Sequence, residues 1–258
     1  LGYELARFFD SKGARLLCIA RSQEGCCLLN QKDKFFSCDL SQQSQLDGLA
    51  RELDSLPIDV LINNAAIQGP IGPVWENDWE VWTKTLSINL TAPVFLCRVL
   101  VPKFIKQGGG VIINLSGGGA ASPRPYFSAY SAAKAALVRF SETLAHELKD
   151  TPVRVNCIAP GPLPTEMLKQ ILENGADYID PQEWQQAQKI LDNEEDSFAR
   201  VARLCAFLIS DEATSISGRL ISALWDPWED RERFRKLLMD PHFFTLRRVT
   251  PDDKSTAL

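Results

Sequence analysis

Histidine and methionine are the scarce residues of this chain, two of each among 258 positions. His146 and His242 are too isolated in sequence to point to a metal site. An excess of positive charge is also missing. Lys and Arg total 28 against 33 Asp and Glu, the net charge is −5 and the pI is about 5.2. Such a surface does not gather phosphates, so nucleic acid is not an expected partner. No apolar run approaches the roughly 20 residues that span a bilayer, and no basic segment followed by an apolar stretch marks a secretory leader. A membrane partner is therefore not expected either. The seven cysteines lack any Cys-x-x-Cys spacing: Cys18, Cys38 and Cys157 lie in apolar, strand-like segments, and Cys26 and Cys27 are adjacent. They are expected to be reduced thiols of a cytoplasmic protein.

What the chain has is alternation. Short apolar runs stand at 15–20, 34–40, 58–65, 110–116, 153–160 and 218–224, and amphipathic stretches lie between them at 42–54, 78–106, 129–149 and 197–209. Apolarity that is continuous rather than alternating marks strands buried on both faces, and helices between such strands imply right-handed crossovers in a parallel sheet. The fold class predicted is a doubly wound, Rossmann-type α/β domain. At 45% hydrophobic residues the chain can bury one sizeable core. Ligands of such sheets bind outside the carboxyl ends of the strands.

Polar residues gather there. Asn63 and Asn64 follow one run, Ser116 and Gly117 to Gly119 another, and "PGPLPT" (160–165) a third, while "YSAAK" (130–134) opens an Ala-rich helical stretch. Residues four apart share a helix face, so the Lys134 ammonium and the Tyr130 hydroxyl are neighbours. At about 4 Å and an effective dielectric near 20, unit charges interact by roughly 4 kcal/mol. That predicts a phenol lowered by up to about 3 units from its ordinary value near 10, able to exchange protons with a carbonyl or alcohol oxygen. The bland alternative is a solvated Tyr and Lys on an amphipathic helix.

With "NNAA" (63–66), "SINL" (87–90), "YSAAK" (130–134) and "PGPLPTEM" (160–167) in this order, the chain resembles the short-chain dehydrogenase/reductase (SDR) family over residues 1 to about 224. The resemblance implies an oxidoreductase that moves a hydride between a nicotinamide and a carbonyl or secondary alcohol, with Tyr130 as acid/base. Lys134 would lower the phenol pKa and bond the nicotinamide ribose, and Asn89 would relay protons. It further implies cofactor contacts at Asn63, Ala65, Pro160, Gly161 and Thr165, and a homodimer or homotetramer built through the helices near 78–106 and 129–149. The family's serine, thirteen residues before the tyrosine, falls on Gly117, with Ser116 one residue early. A one-residue offset in a strand points a side chain to the other face. The glycines at 117–119 permit Ser116 to turn inward, or a backbone N–H to act in its place. Ser122 and Ser128 are further candidates, Ser128 fitting better as a helix N-cap.

Cofactor preference is expected from the end of the run at 15–20. The family position for an acidic residue is Ala20, followed by Arg21 and Ser22. No carboxylate repels a 2′-phosphate there, so NADP(H) is expected ahead of NAD(H). Asp39 and Leu40 match the adenine-contacting segment. Of the family's glycine-rich phosphate turn only Gly2 remains, at the start of a helical pattern that opens directly on Leu1. The first strand and most of that turn are therefore expected to be missing, and roughly 10 to 20 further N-terminal residues are expected in the native protein.

Residues 163–196 take the place of the family's substrate lid. Arg124 is either a partner for an anionic substrate or an ordinary loop cation. The segment 225–258 extends beyond the resemblance, and Trp225, Trp228, Phe234, Leu237 and Leu238 can form an apolar stripe that packs on the domain or on a partner subunit. A second function class stays open, a nucleotide-binding but catalytically silent relative acting as scaffold or regulator, because Gly117 stands at the serine position. The substrate itself is not legible.

Overall fold

The apolar runs become the strands of a computed structural model that describes residues 1–23, 30–174, 177–179, 181–192 and 197–248. These are β1 (Leu17–Ala20), β2 (Lys34–Ser37), β3 (Val60–Asn63), β4 (Gly110–Leu115), β5 (Val153–Ala159) and β6 (Leu220–Ser222). All pairings are parallel: β1 with β2, and β3-β4-β5-β6 in that order, with Val60 opposite Val111, Val111 opposite Arg154 and Cys157 opposite Leu220. Among the described residues no strand joins β1 to β3, so the sheet is in two parts. Cys26, Cys27, parts of the 163–196 segment and residues 249–258 lie outside the described residues.

Alternation along β4 divides the core into its two layers. Val111, Ile113 and Leu115 pack with Ile158 and Ile221 against α8 (Ser197–Ile209), through Val201, Leu204 and Leu208, and against Leu5 of α1 (Gly2–Ser11). Ile112 and Val155 face the other way, toward Leu46, Leu49 and Leu53 of α2 (Gln43–Asp54) and Leu96, Leu100 and Phe104 of α4 (Ala92–Gln107). Ile112 and Ile113 are both fully buried, and each such side chain contributes about 1.5–3 kcal/mol.

The single helix expected over 78–106 is interrupted. α3 (Trp79–Leu86), capped by the Asp78 carboxylate accepting from the Val81 amide at 2.8 Å, runs into a π-helical turn at Ser87–Thr91 before α4 begins. An extra residue in one turn widens the helix and marks a place where backbone groups are freed for other use. Counted as a helix rather than as an apolar run, Trp79–Gln107 is long and apolar enough by length and composition to cross a bilayer. In this fold its apolar side chains pack on β4 and β5, as the core helix of a doubly wound sheet does.

α5 (Ser128–Glu147) lies beside it. Ser128 does not cap this helix: it is the first helical residue, and its hydroxyl accepts from Trp82 Nε1 at 3.1 Å, which fastens α5 to α3. Two further helices, α6 (Glu166–Asn174) and α7 (Pro181–Asp192), occupy the expected lid region, where Ile171, Met167 and Trp184 close on Phe127. After β6 the chain turns through α9 (Arg231–Leu238), whose Phe234 joins Trp228 and Phe207 in the core layer around α8. The expected stripe is corrected at one end, because Trp225 is 71% exposed while Trp228 and Phe234 are buried. The Leu220 amide bonds the Phe244 carbonyl at 2.7 Å, so the tail runs along the outer edge of β6.

Candidate active site

A cleft of about 1540 Å³ opens at the carboxyl ends of the strands and continues into the interval between β1 and β3. Small-molecule sites are usually about 300–1000 Å³; this one is larger because the space between the two half-sheets joins it. Gly2, Arg21, Asp39, Leu40, Asn63, Ala65, Ser116, Tyr130, Lys134, Pro160, Gly161 and Thr165 all line the cleft. The loops after β1 to β5, the start of α1 and the start of α5 therefore converge as the strand-end rule predicts. Ser22 and Asn89 are not in its wall.

Tyr130 and Lys134 sit in the first two turns of α5, 7% and 2% exposed. Their electrostatics differ from the sequence expectation. The Lys134 ammonium donates to the Leu115 carbonyl at 2.7 Å and lies 5.7 Å from the centre of the Tyr130 ring, drawn toward the end of β4. Burial pushes the phenol up from its ordinary value, with the Arg124 charge opposing, which is the reverse of the expected lowering. The same burial pushes Lys134 down to about 8. Near neutrality the phenol holds its proton.

Gly117 explains itself sterically. A β-carbon there would stand 2.3 Å from the Tyr130 hydroxyl, so the phenol is packed against the glycine where the family carries a serine side chain. Ser116, one residue earlier, is 3% exposed in the cleft wall, and its hydroxyl has no hydrogen-bond partner. Ser116 stands just past the last residue of β4, where regular pleating has ended, so strand alternation does not decide which way it faces. Gly117→Ala is expected to lower stability by about 1–3 kcal/mol, because the buried ring has to shift; thermal unfolding measures it.

Asn89 is buried in the π-helical turn, its amide accepting from the Ile67 N–H at 2.9 Å and donating to the Ile67 carbonyl at 2.8 Å. The side chain thereby clamps the loop after β3. Asn63 likewise spends its amide inside the sheet, donating to Asn114 Oδ1 at 2.7 Å, and Asn114 in turn donates to Ser141 on α5. Thr165 stands at the head of α6, and its hydroxyl accepts from the Leu168 amide.

At the other end of the cleft, α1 begins without a side-chain cap, and Leu1, Gly2 and Tyr3 line the wall. A β-carbon on Gly2 would lie 2.7 Å from Asn64 Nδ2, so a larger residue there would push the Asn64 amide aside. Asp39 accepts from the Ser41 amide and hydroxyl, and these bonds hold its carboxyl low, with Lys84 and Arg21 adding to the effect. Arg21 is exposed at the end of β1. A cation at the end of β1 and an unpartnered hydroxyl in the same cleft as a phenol fit a dinucleotide with a small second reactant. Two wall residues are additional: Arg124, stacked 3.7 Å over the Phe127 ring, and Gln68, to which no motif pointed.

The short chain dehydrogenase family model matches residues 1–176. The human Dehydrogenase/reductase SDR family member 4 is 29% identical over 230 residues, spanning 86% of this chain and 81% of that protein. An uncharacterized oxidoreductase of Thermotoga maritima is 29% identical, over 82% of this chain and 85% of its own length. Among solved structures, a variant actinorhodin polyketide ketoreductase with NADPH superposes with a TM-score of 0.74 at 26% identity, covering 86% of this chain and 90% of that one. A 4-hydroxyisoleucine dehydrogenase complexed with NADH gives 0.73 at 25% identity, covering 86% and 91%.

Proposed function

Because the chain belongs to the short-chain dehydrogenase family, we propose that it is a nicotinamide-dependent oxidoreductase acting on a carbonyl or secondary alcohol, with NADP(H) preferred over NAD(H). The observation that carries this reading is the meeting, in one cleft, of a buried phenol, a buried amine four residues on and an unpartnered hydroxyl. The nicotinamide, when bound, supplies or accepts the hydride. The chain's own residues do the rest. Ser116 donates a hydrogen bond that orients the carbonyl oxygen of the substrate. Tyr130, protonated near neutral pH because burial disfavours the phenolate, gives its proton to that oxygen in the reducing direction. Lys134, poised near 8, holds positive charge beside the phenol and stabilises it as the proton leaves. Gly2 and the start of α1 would hold the pyrophosphate, Arg21 the 2′-phosphate, and the Pro160–Thr165 loop the nicotinamide. The long helices Trp79–Gln107 and Ser128–Glu147 would form the contact of a homodimer or homotetramer.

NADPH consumption against a panel of ketones and aldehydes tests the activity. Saturable nucleotide binding with no turnover of any carbonyl would support the silent, scaffold reading instead. The preference has its own check: Arg21→Asp is expected to weaken NADPH binding by about 10- to 100-fold while leaving NADH binding nearly unchanged, since one charge-assisted contact to the phosphate is lost. Equal effects on both nucleotides, measured by titration, would remove Arg21 from the discrimination.

A further inference from the structure

Gln68 is 5% exposed, lines the cleft that holds Tyr130 and Ser116, and has no hydrogen-bond partner for either its Oε1 or its Nε2. A buried amide left unpaired at both ends is costly and rare. Its setting is otherwise rigid. The preceding residue, Ile67, is held through both N–H and C=O by Asn89, and the following Gly69, at φ +74°, packs so tightly on Thr85 that a β-carbon would lie 2.4 Å from its hydroxyl. The loop therefore fixes Gln68 in the cleft wall and withholds protein partners from its amide, which is how a preorganised recognition group is built.

From this we infer that Gln68 recognises the substrate, and that the substrate is a carbonyl compound carrying a hydroxyl group near its carbonyl; the inference rests on the oxidoreductase reading above. The amide needs a partner that accepts from Nε2 and donates to Oε1. A hydroxyl does both. A carboxylate only accepts and an ammonium only donates, so either would leave one end of the amide unpaired. The carboxamide of a nicotinamide also both donates and accepts, and the test separates that source from the substrate.

The probes are isosteric ketone pairs, hydroxyacetone with butan-2-one and 4-hydroxybutan-2-one with pentan-2-one, given with NADPH to the wild-type chain and to Gln68→Met and Gln68→Leu. Turnover, thermal shift and NADPH affinity are read for each. The wild type is expected to favour the hydroxyl member of at least one pair by about 10-fold or more in kcat/KM, and both variants to lose that preference with unchanged NADPH affinity. Their melting temperatures are expected to equal or exceed the wild type's, since each removes an unpaired buried amide. Equal turnover of paired ketones by the wild type would overturn the assignment and leave the oxidoreductase reading standing. Absence of turnover together with a Gln68-dependent shift for the hydroxy ketone alone would keep the recognition role and remove the activity, whereas absence of both would sink the assignment. Weakened NADPH binding in the variants would give Gln68 to the cofactor, and a lowered melting temperature in both would make it structural.

Discussion

Tyr130→Phe is expected to lower kcat for carbonyl reduction by about 10²–10⁴-fold, the usual worth of a positioned proton donor. The ring remains to fill the space over Gly117, and nucleotide affinity is expected to change little. The stability profile supplies a second reading of the same residue. A phenol pushed up by burial keeps its proton in the fold at pH values where the unfolded chain has lost it. The wild type therefore loses stability as pH rises above the ordinary phenol value, and the phenylalanine variant lacks that loss. Undiminished turnover in the variant, compared at saturating nucleotide, would take Tyr130 out of the chemistry.

Lys134→Met is expected to reduce kcat by about 10²–10³-fold, as loss of one fixed positive donor does in other sites. Its effect on stability runs in an unusual direction with pH. Lys134 falls from 10.5 to about 8 on folding, because burial disfavours the ammonium. Below about 8 the amine is charged in both states, and the fold bears the full desolvation cost. Between about 8 and 10.5 the unfolded chain binds the proton and the fold does not, so stability rises with pH through this window. The wild type is expected to gain about 3 kcal/mol relative to Lys134→Met across it. Denaturant unfolding of both proteins at several pH values measures the difference, and parallel curves would show that the ammonium bears no such cost.

The fold was legible where one physical rule decided the matter. Continuous apolar runs pointed to strands, and each run contains the strand found there, with ends trimmed by a few residues, though only β4 and β5 are buried nearly throughout. Interruption of the helix at Ser87–Thr91 was not legible. It coincides with Asn89 turning its amide onto Ile67, a tertiary contact 22 residues back that no local propensity encodes. The spacing of Tyr130 and Lys134 put both in the cleft, yet the Coulomb argument considered only their mutual attraction and not the desolvation that dominates both groups. Gly117 read as a missing donor until the structure showed the phenol resting on it. Gln68 gave no signal, since a glutamine in a loop reads as solvated, and burial is a property of the assembled walls.

The interval between β1 and β3 bears on how a ligand in the cleft is held. A two-stranded sheet is marginal by itself. The β1–β2 half leans on Phe36, Cys38 and the apolar face of α2 for its attachment to α4. Any occupant that touches Arg21 and Asp39 on one bank and Tyr130 on the other bridges the seam. Its binding energy then ties the two banks together.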